Sequence, residues 1–287
     1  MTYPIEKQLA EIKEIFPSNI TSVRLHDGGD DFIVIEINRD WMFRFPRREI
    51  SRNALIVEKA FLAEFKRISP VPVPDHQYQG NDFVGYPKIR GESLGLELYQ
   101  NLSPKCRGRI AQQIGQFLSA VHTFPIDEAK QMGMIEGWNG WFDKGIQNLR
   151  EVVLPKLAAT TQRNALATID RLLAEPFDPK VIHGDFALED HVFFDDQRIE
   201  LSGVIDFADV TINDPAHDFQ NIVEYGGEEF FAAVMENYHT TDDPTLLRRI
   251  INRIDSRPLF EASFSHLFGF EKRFKERMEY IETKYGI

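Results

Sequence analysis

Val181-Ile182-His183-Gly184-Asp185-Phe186 and the later stretch Gly203-Val204-Ile205-Asp206-Phe207 decide the fold and the chemistry. In both, an apolar run predicts a short strand, and an aspartate follows where the strand ends. Carboxylates at neighbouring strand ends can share one site, where one orients or deprotonates a hydroxyl and the other holds Mg²⁺ with a triphosphate. Phosphoryl transfer needs little more, because positioning and charge neutralisation dominate its catalysis.

Periodicity divides the rest of the chain into two parts. Before Gly95 it predicts an opening helix, a second helix at 52–68, and strands at 21–25, 32–37, 41–45 and 82–89. After Gly95 the pattern is mostly helical: Ser103-Pro104 is typical of a helix start, a helix is predicted at 154–173, and short strands are predicted at 192–194 and 201–205. We therefore expect an α+β fold, with a small antiparallel-sheet N-lobe at 1–88 and a larger, mostly helical C-lobe at 89–287.

Composition restricts the partners and the compartment. The single cysteine, Cys106, cannot form an intramolecular disulfide, and the first residues lack the pattern of a signal peptide. No apolar run is long enough to span a membrane. A net charge of -12 disfavours nucleic acid and suits a cationic small molecule. We expect a cytoplasmic monomer that binds neither nucleic acid nor membrane.

The two aspartate segments resemble the catalytic loop and the metal-binding segment of the aminoglycoside phosphotransferase and choline kinase superfamily. Within it, the chain is most similar to the 2''-aminoglycoside phosphotransferases, and macrolide phosphotransferases are similar over several segments. The matching segments are Phe43-Arg44-Phe45-Pro46-Arg47, Tyr86-Pro87-Lys88-Ile89-Arg90-Gly91, Phe117-Leu118-Ser119-Ala120-Val121-His122 and Ile205-Asp206-Phe207-Ala208-Asp209. The resemblance implies a protein-kinase-like, two-lobed fold.

The resemblance also implies roles for the acidic residues. Asp185 corresponds to the catalytic carboxylate that accepts the hydroxyl proton, and Asp206 to a Mg²⁺ ligand. The family places a second metal ligand five residues after the catalytic aspartate, which is Asp190 here. The following residues fit the family better if His191 is equivalent, whereas the preference of Mg²⁺ for oxygen favours Asp190. Both residues remain candidates.

Arg44 stands where kinases place a lysine that contacts the triphosphate and pairs with a helix glutamate. Glu58 is its predicted partner, because it shares an apolar helical stripe with Leu55, Leu62 and Phe65. A carboxylate on such a stripe needs a counter-charge. The alternative is a purely structural ion pair, since arginine is not geometrically equivalent to lysine.

Further candidates concern the two substrates. Gly28 and Gly29 would let backbone amides approach phosphates, although glycines in such a loop also fit ordinary turn chemistry. The hinge, with Pro87 and Ile89, is expected to bind the base of ATP or GTP through its backbone. Glu228 and Glu229 fall where related enzymes grip substrate amines, and Trp138 and Trp141 are candidates to line the acceptor pocket. The alternatives are that Glu228 and Glu229 lie on an ordinary solvated helix face and that Trp138 and Trp141 only pack in the core.

Other functions compete with these expectations. Gly91-Glu92-Ser93-Leu94-Gly95 matches the nucleophile elbow of serine hydrolases, but no oxyanion segment precedes it. Paired carboxylates also occur in glycoside hydrolases, which need neither Arg44 with Glu58 nor a hinge. A non-catalytic nucleotide-binding protein is a third alternative. Our hypothesis is transfer of the γ-phosphoryl group of ATP or GTP to a hydroxyl of an aminoglycoside, with a macrolide or a metabolic alcohol as the alternative acceptor.

Overall fold

The N-terminal part is built around an antiparallel sheet. The structure is a computed structural model that describes residues 5–26, 28–29, 31–138, 140–240 and 242–286. Its first elements are α1 (Glu6–Ile15), β1 (Val23–His26), β2 (Phe32–Ile37), β3 (Trp41–Pro46), α2 (Glu49–Phe65), β4 (Tyr78–Gln79) and β5 (Val84–Pro87). The strands form a five-stranded sheet in the order β1-β2-β3-β5-β4. The small antiparallel sheet predicted for this part of the chain is thus confirmed.

The two faces of this sheet have different partners, because side chains alternate along each strand. Ile33, Ile35 and Ile37 of β2 pack in one apolar cluster with Ile12 of α1. The other face packs Phe32 and Val84 against Leu55 of α2. Arg44 is paired with Val34 across the strands, so its side chain lies on this second face. The alternation therefore directs Arg44 towards α2 and the C-terminal part.

Helices dominate the remainder of the chain. They are α3 (Leu96–Asn101), α4 (Pro104–His122), α5 (Ile126–Gln131), α6 (Trp141–Asn148), α7 (Ala159–Ala174), α8 (Leu188–His191), α9 (Gln220–Met235), α10 (Leu246–Leu267) and α11 (Glu271–Tyr285). The strands are β6 (Glu92–Ser93), β7 (Lys180–Ile182), β8 (Val192–Asp195), β9 (Glu200–Val204) and β10 (Thr211–Asn213). They form two small sheets, β10-β7 and β6-β8-β9. The expected α+β architecture is confirmed.

Some predicted boundaries were wrong. The helix predicted at 154–173 is divided into a 3₁₀ turn at Leu154–Lys156 and α7, and a π-turn at Leu149–Val153 precedes it. The break lies at Leu157 and Ala158, whose backbones are extended with ψ of 153° and 149°. The helix predicted at 52–68 is α2, which begins and ends earlier. Within the described part of the chain, no helix is long and apolar enough to cross a bilayer.

The largest apolar cluster joins α2 to the helical part. Phe61 and Phe65 of α2 are fully buried and stack on each other with ring centroids 4.8 Å apart. Phe61 also packs against Phe124 and Phe207, and Phe65 packs against Phe117. We refer to these five residues as the phenylalanine cluster. Phe207 directly follows Asp206, so the cluster fixes α2 beside the candidate site.

Candidate active site

Asp185 is positioned by a glycine and a short sheet. It follows β7, which pairs with β10, and a left-handed Gly184 (φ 89°) turns the chain between them. A Cβ atom at Gly184 would lie 2.1 Å from the carbonyl oxygen of Asp209, so no larger residue fits. Desolvation, together with the nearby Asp206 carboxylate, raises the pKa of Asp185. Solvent still reaches 57% of the side chain, which moderates this shift and leaves the carboxylate accessible to a small molecule.

Asp206 leaves the end of β9 in an unusual conformation. Its φ of 64° lies in the left-handed region, which aspartate tolerates better than most residues. Burial would raise the pKa of Asp206, but the guanidinium of Arg44, together with His191, His183 and the Ala208 amide, holds the pKa below the ordinary value. Asp206 is therefore an anion at neutral pH.

His183 connects the two aspartate segments. Its Nε2 donates to the carbonyl oxygen of Ile205 at 3.1 Å, and the amide of Asp185 donates to its Nδ1 at 3.3 Å. Burial lowers the pKa of His183, so the ring is neutral and can serve both as donor and as acceptor. This imidazole ties the residue before Asp206 to the backbone of Asp185.

Asp218 supports the backbone that leads into Asp185. Its fully buried carboxylate accepts hydrogen bonds from the amides of His183 and Gly184, at 2.8 and 2.9 Å. Nε2 of His122 also donates to it, at 3.0 Å. Burial alone would raise the pKa of Asp218, but the hydrogen bonds from His122 and the Gly184 amide keep the pKa below its ordinary value. This carboxylate thus sets the backbone path into Asp185.

We expect Asp218→Asn to lower the free energy of unfolding at pH 7 by about 2 to 4 kcal/mol, because buried donors lose a charged acceptor. A depressed carboxyl pKa stabilises the fold above the unfolded pKa of about 3.9, and this contribution disappears as the pH falls through the folded pKa. The difference between wild type and variant should therefore shrink below about pH 4. Urea unfolding between pH 3 and 7 measures it, and a difference independent of pH would contradict this account.

The ion pair predicted between Arg44 and Glu58 is present, and it extends to Asp206. Nη1 of Arg44 donates to Oε1 of Glu58 at 2.7 Å, and Nη2 donates to Oδ1 of Asp206 at 2.8 Å. Arg44 and Glu58 are 4% and 0% exposed, so both need these partners. Despite burial, the two carboxylates raise the pKa of Arg44, which stays charged. Each terminal nitrogen retains a second N–H that these two bonds do not use.

The side chain of His191 lies between those of Asp185 and Asp206. Nδ1 of His191 donates to the backbone oxygen of Asp185 at 2.7 Å. The carbonyl can only accept, so Nε2 is the nitrogen that faces Asp206, 3.7 Å from Oδ2. Asp190 is exposed on α8 and has no recorded contact with Asp206 among the described residues. The structure thus brings together Asp185, Asp206 and His191.

The candidates for donor binding lie along the edges of the N-terminal sheet. Gly28 and Gly29 are exposed in the loop between β1 and β2, and a Cβ atom at Gly28 would meet nothing within 4 Å. Sterics therefore do not demand glycine at position 28. Pro87 ends β5, and Ile89 follows in the connection to the helical part, with its side chain against Gly203. The proposed hinge therefore lies beside β9, the strand that leads to Asp206.

The acceptor candidates are not gathered into one cluster. Glu228 and Glu229 are exposed on α9, directly after a break at Gly227 (φ 65°, ψ -165°). The ring of Trp138 lies 4.9 Å from that of His217, near the β7-β10 sheet. Trp141 instead packs on Phe268 of the C-terminal helices, 5.4 Å between ring centroids. Trp138 is therefore the tryptophan that lies near the β7-β10 sheet, from which the chain leads to Asp185.

The hydrolase alternative finds little support in the position of its serine. Ser93 ends β6, and α3 begins at Leu96 soon afterwards. The Ser93 hydroxyl donates to the backbone oxygen of Glu189. No histidine contacts it among the residues that the structure describes, so the base that activates a nucleophilic serine is lacking there.

An antiparallel sheet packed against a helical part, with two aspartates and an arginine brought together where the two parts meet, is the arrangement expected of a kinase-like phosphotransferase. A model of the phosphotransferase enzyme family matches residues 22–250, so the chain belongs to this family. The predicted family is therefore confirmed, as is an enzyme that transfers a phosphoryl group to a hydroxyl.

Solved structures support the same fold over nearly the whole chain. The GDP and kanamycin complex of APH(2")-IIIa is 25% identical, with a TM-score of 0.85 over 97% of this chain and 98% of that one. A macrolide 2'-phosphotransferase of type I is 23% identical, with a TM-score of 0.75 over 98% of both chains. The streptomycin and ATP complex of APH(2")-IIa is 21% identical, with a TM-score of 0.72 over 91% of both chains.

Sequence reasoning missed several supporting residues. The direct contact between Arg44 and Asp206 spans 162 positions and has no local signal. His122 did have a local signal. It continues the buried stripe of Ile114 and Leu118 on α4, and a buried imidazole needs a hydrogen-bond partner. His76 had no local signal, because it follows a proline-rich connection that resembles an ordinary loop.

Proposed function

We propose that this protein transfers the γ-phosphoryl group of ATP or GTP to a hydroxyl group of an aminoglycoside-like antibiotic. The observation that carries the proposal is the convergence of Asp185, His191 and Asp206 below the pair of Arg44 and Glu58. In this scheme the donor lies under the N-terminal lobe, residues 1–88, and the acceptor approaches Asp185 from the C-terminal lobe, residues 89–287.

Each residue in the cleft has a task in this reaction. The Asp185 carboxylate, accessible to a small molecule, orients the acceptor hydroxyl and accepts its proton as the new bond forms. Arg44, held by Glu58, offers its remaining N–H groups to the donor phosphates. Gly28 and Gly29 supply backbone amides near the phosphates, and Pro87 and Ile89 provide the backbone that holds the base.

The cleft also fits Mg²⁺. Asp206 keeps Oδ2 free of Arg44, and Nδ1 of His191 donates to a carbonyl, as in many metal-binding histidines. We therefore assign the second ligand to His191 and keep Asp190 as the alternative. Among the described residues no group of three or more acidic, histidine or cysteine side chains forms a metal site, but Mg²⁺ needs only one or two protein ligands when phosphates supply the rest. Bound there, the ion would neutralise charge that develops on the transferred group.

A cationic acceptor fits the charge of the protein. The net charge is -12, and Glu228 and Glu229 are exposed beside the break in α9, so both are available to substrate amines. The relative with kanamycin bound has the same fold and is 25% identical. The aromatic surroundings of Trp138 and Trp141 would also suit a larger, less polar acceptor, and a macrolide is therefore the second candidate.

A panel of acceptors tests the function. Aminoglycosides, macrolides and small alcohols are each incubated with ATP or GTP and Mg²⁺, and release of nucleoside diphosphate is followed. We expect turnover with aminoglycosides, and no turnover when Mg²⁺ is removed with a chelator. Turnover confined to macrolides would make a macrolide the acceptor in place of an aminoglycoside. The absence of phosphoryl transfer to any acceptor would refute the proposal.

Neutralising Glu228 and Glu229 on α9 should change the binding of the acceptor and leave the binding of the nucleotide unchanged. We expect the double variant Glu228→Gln/Glu229→Gln to raise the KM for an aminoglycoside by about three- to tenfold, because exposed ion pairs are individually weak. The KM for the nucleotide should not change. Steady-state kinetics at low and high salt measure both, and Glu261→Gln on α10 is a control for a general loss of negative charge. An unchanged acceptor KM would remove these residues from the acceptor site.

A further inference from the structure

A buried histidine beside the catalytic ion pair has no role in the scheme above. The side chain of His76 is 5% exposed, and neither ring nitrogen has a hydrogen-bond partner among the described residues. Oε2 of Glu58, equally buried, also lacks one. Nε2 of His76 is 3.4 Å from Oε1 of Glu58, close enough for an ion pair but without hydrogen-bond geometry. Buried polar atoms without partners are rare, so three in one place require an explanation.

The connection that carries His76 touches both halves of the site. It joins α2 to β4, and its Pro72 oxygen accepts a hydrogen bond from the amide of Val204 at 2.9 Å. Val204 ends β9, two residues before Asp206. At the other end of the connection, the His76 ring lies 5.7 Å from the ring of Tyr86 on β5. The connection is therefore anchored to the strand of Asp206 and presents an imidazole to Glu58.

We propose that His76 is a positioning residue that donates a hydrogen bond to Glu58 and thereby fixes Arg44 for the donor phosphates. A small rotation of either side chain brings a ring N–H onto a Glu58 oxygen, which satisfies buried atoms on both residues. Glu58 is then held from two sides, by Arg44 at 2.7 Å and by His76. With its carboxylate partner fixed, the Arg44 guanidinium keeps one direction. This role rests on the proposed donor site.

Two variants of matched size test the idea. His76→Met removes both ring nitrogens, whereas His76→Gln keeps an N–H at about the reach of Nε2. We expect His76→Met to raise the nucleotide Kd about tenfold, which corresponds to the loss of one hydrogen bond to a charged group. His76→Gln should recover most of the affinity. Calorimetry gives the nucleotide Kd, and kinetics should show a raised nucleotide KM, a smaller change in kcat and an unchanged acceptor KM.

A double-mutant cycle shows whether the effect passes through Glu58. In a Glu58→Gln background, we expect His76→Met to change the nucleotide Kd by less than about twofold, because the effects of substitutions at coupled residues are not additive. His266→Met, at a histidine that contacts Asn148 far along the chain, controls for a general cost of losing an imidazole. Thermal melts confirm that each variant is folded.

Two results would overturn the positioning role. One is that His76→Met raises the nucleotide Kd by the same factor in the wild-type background and in the Glu58→Gln background. The other is a folded His76→Gln that binds nucleotide as weakly as His76→Met. Failure of the function itself looks different, because the wild type would then transfer no phosphoryl group while nucleotide binding could still be compared among the variants.

Discussion

Asp185→Asn is expected to lower kcat by about a thousandfold, the usual contribution of a positioned general base. The amide keeps the shape of the carboxylate but cannot accept the hydroxyl proton. The nucleotide Kd should change by less than about threefold, because the donor phosphates are assigned to Arg44 and to the Asp206 site rather than to Asp185. Single-turnover kinetics and calorimetry measure the two quantities separately.

The control for this experiment is Asp196→Asn, at an exposed aspartate in the turn between β8 and β9. It removes the same charge without touching the cleft, and its kcat should match that of the wild type. If Asp185→Asn retains a kcat within threefold of the wild type, Asp185 is not the catalytic base.

Arg44→Ala is expected to affect both stability and donor binding. It leaves the Glu58 carboxylate buried without its ion-pair partner, and losing one member of a buried pair lowers the free energy of unfolding by about 3 to 5 kcal/mol. Nucleotide binding should also be lost, because the cationic contact with the phosphates is removed. Urea unfolding and calorimetry give the two results.

The compensating variant Arg44→Met/Glu58→Leu separates these two effects. Apolar residues replace both charges, so much of the lost stability should return while nucleotide affinity stays low. Arg48→Ala is the matched control, because Arg48 pairs with Asp31 at the surface and such pairs contribute about 0 to 1 kcal/mol. Normal nucleotide affinity in the double variant would show that Arg44 is a structural residue only.

The parts of the site that could be predicted have local signals. Asp185 and Asp206 follow short apolar runs, and strand ends are where such side chains converge. Glu58 stands out because a carboxylate on the buried stripe of α2 needs a counter-charge, and Arg44 was the available cation. The structure places these four residues together, and their catalytic roles remain predictions that the variants above test.

Other parts could not be predicted, because they depend on contacts between distant segments. The two hydrogen bonds that Asp218 accepts from the backbone before Asp185 form only when the segment leading into α9 is docked on β7. The break at Gly227 follows from backbone geometry that no periodicity reveals. The acceptor candidates are separated for a related reason: Trp138 and Trp141 lie three residues apart but pack on different neighbours.

The phenylalanine cluster links donor capture to the integrity of the whole molecule. Phe61 and Phe65 lie on the same helix as Glu58, so any loosening of their aromatic packing also displaces the carboxylate that steadies Arg44. A partly unfolded population should therefore lose nucleotide binding before most of its secondary structure is lost. Conversely, a ligand that engages Arg44 draws the equilibrium back towards the intact state, so the protein should withstand more heat when its donor is abundant.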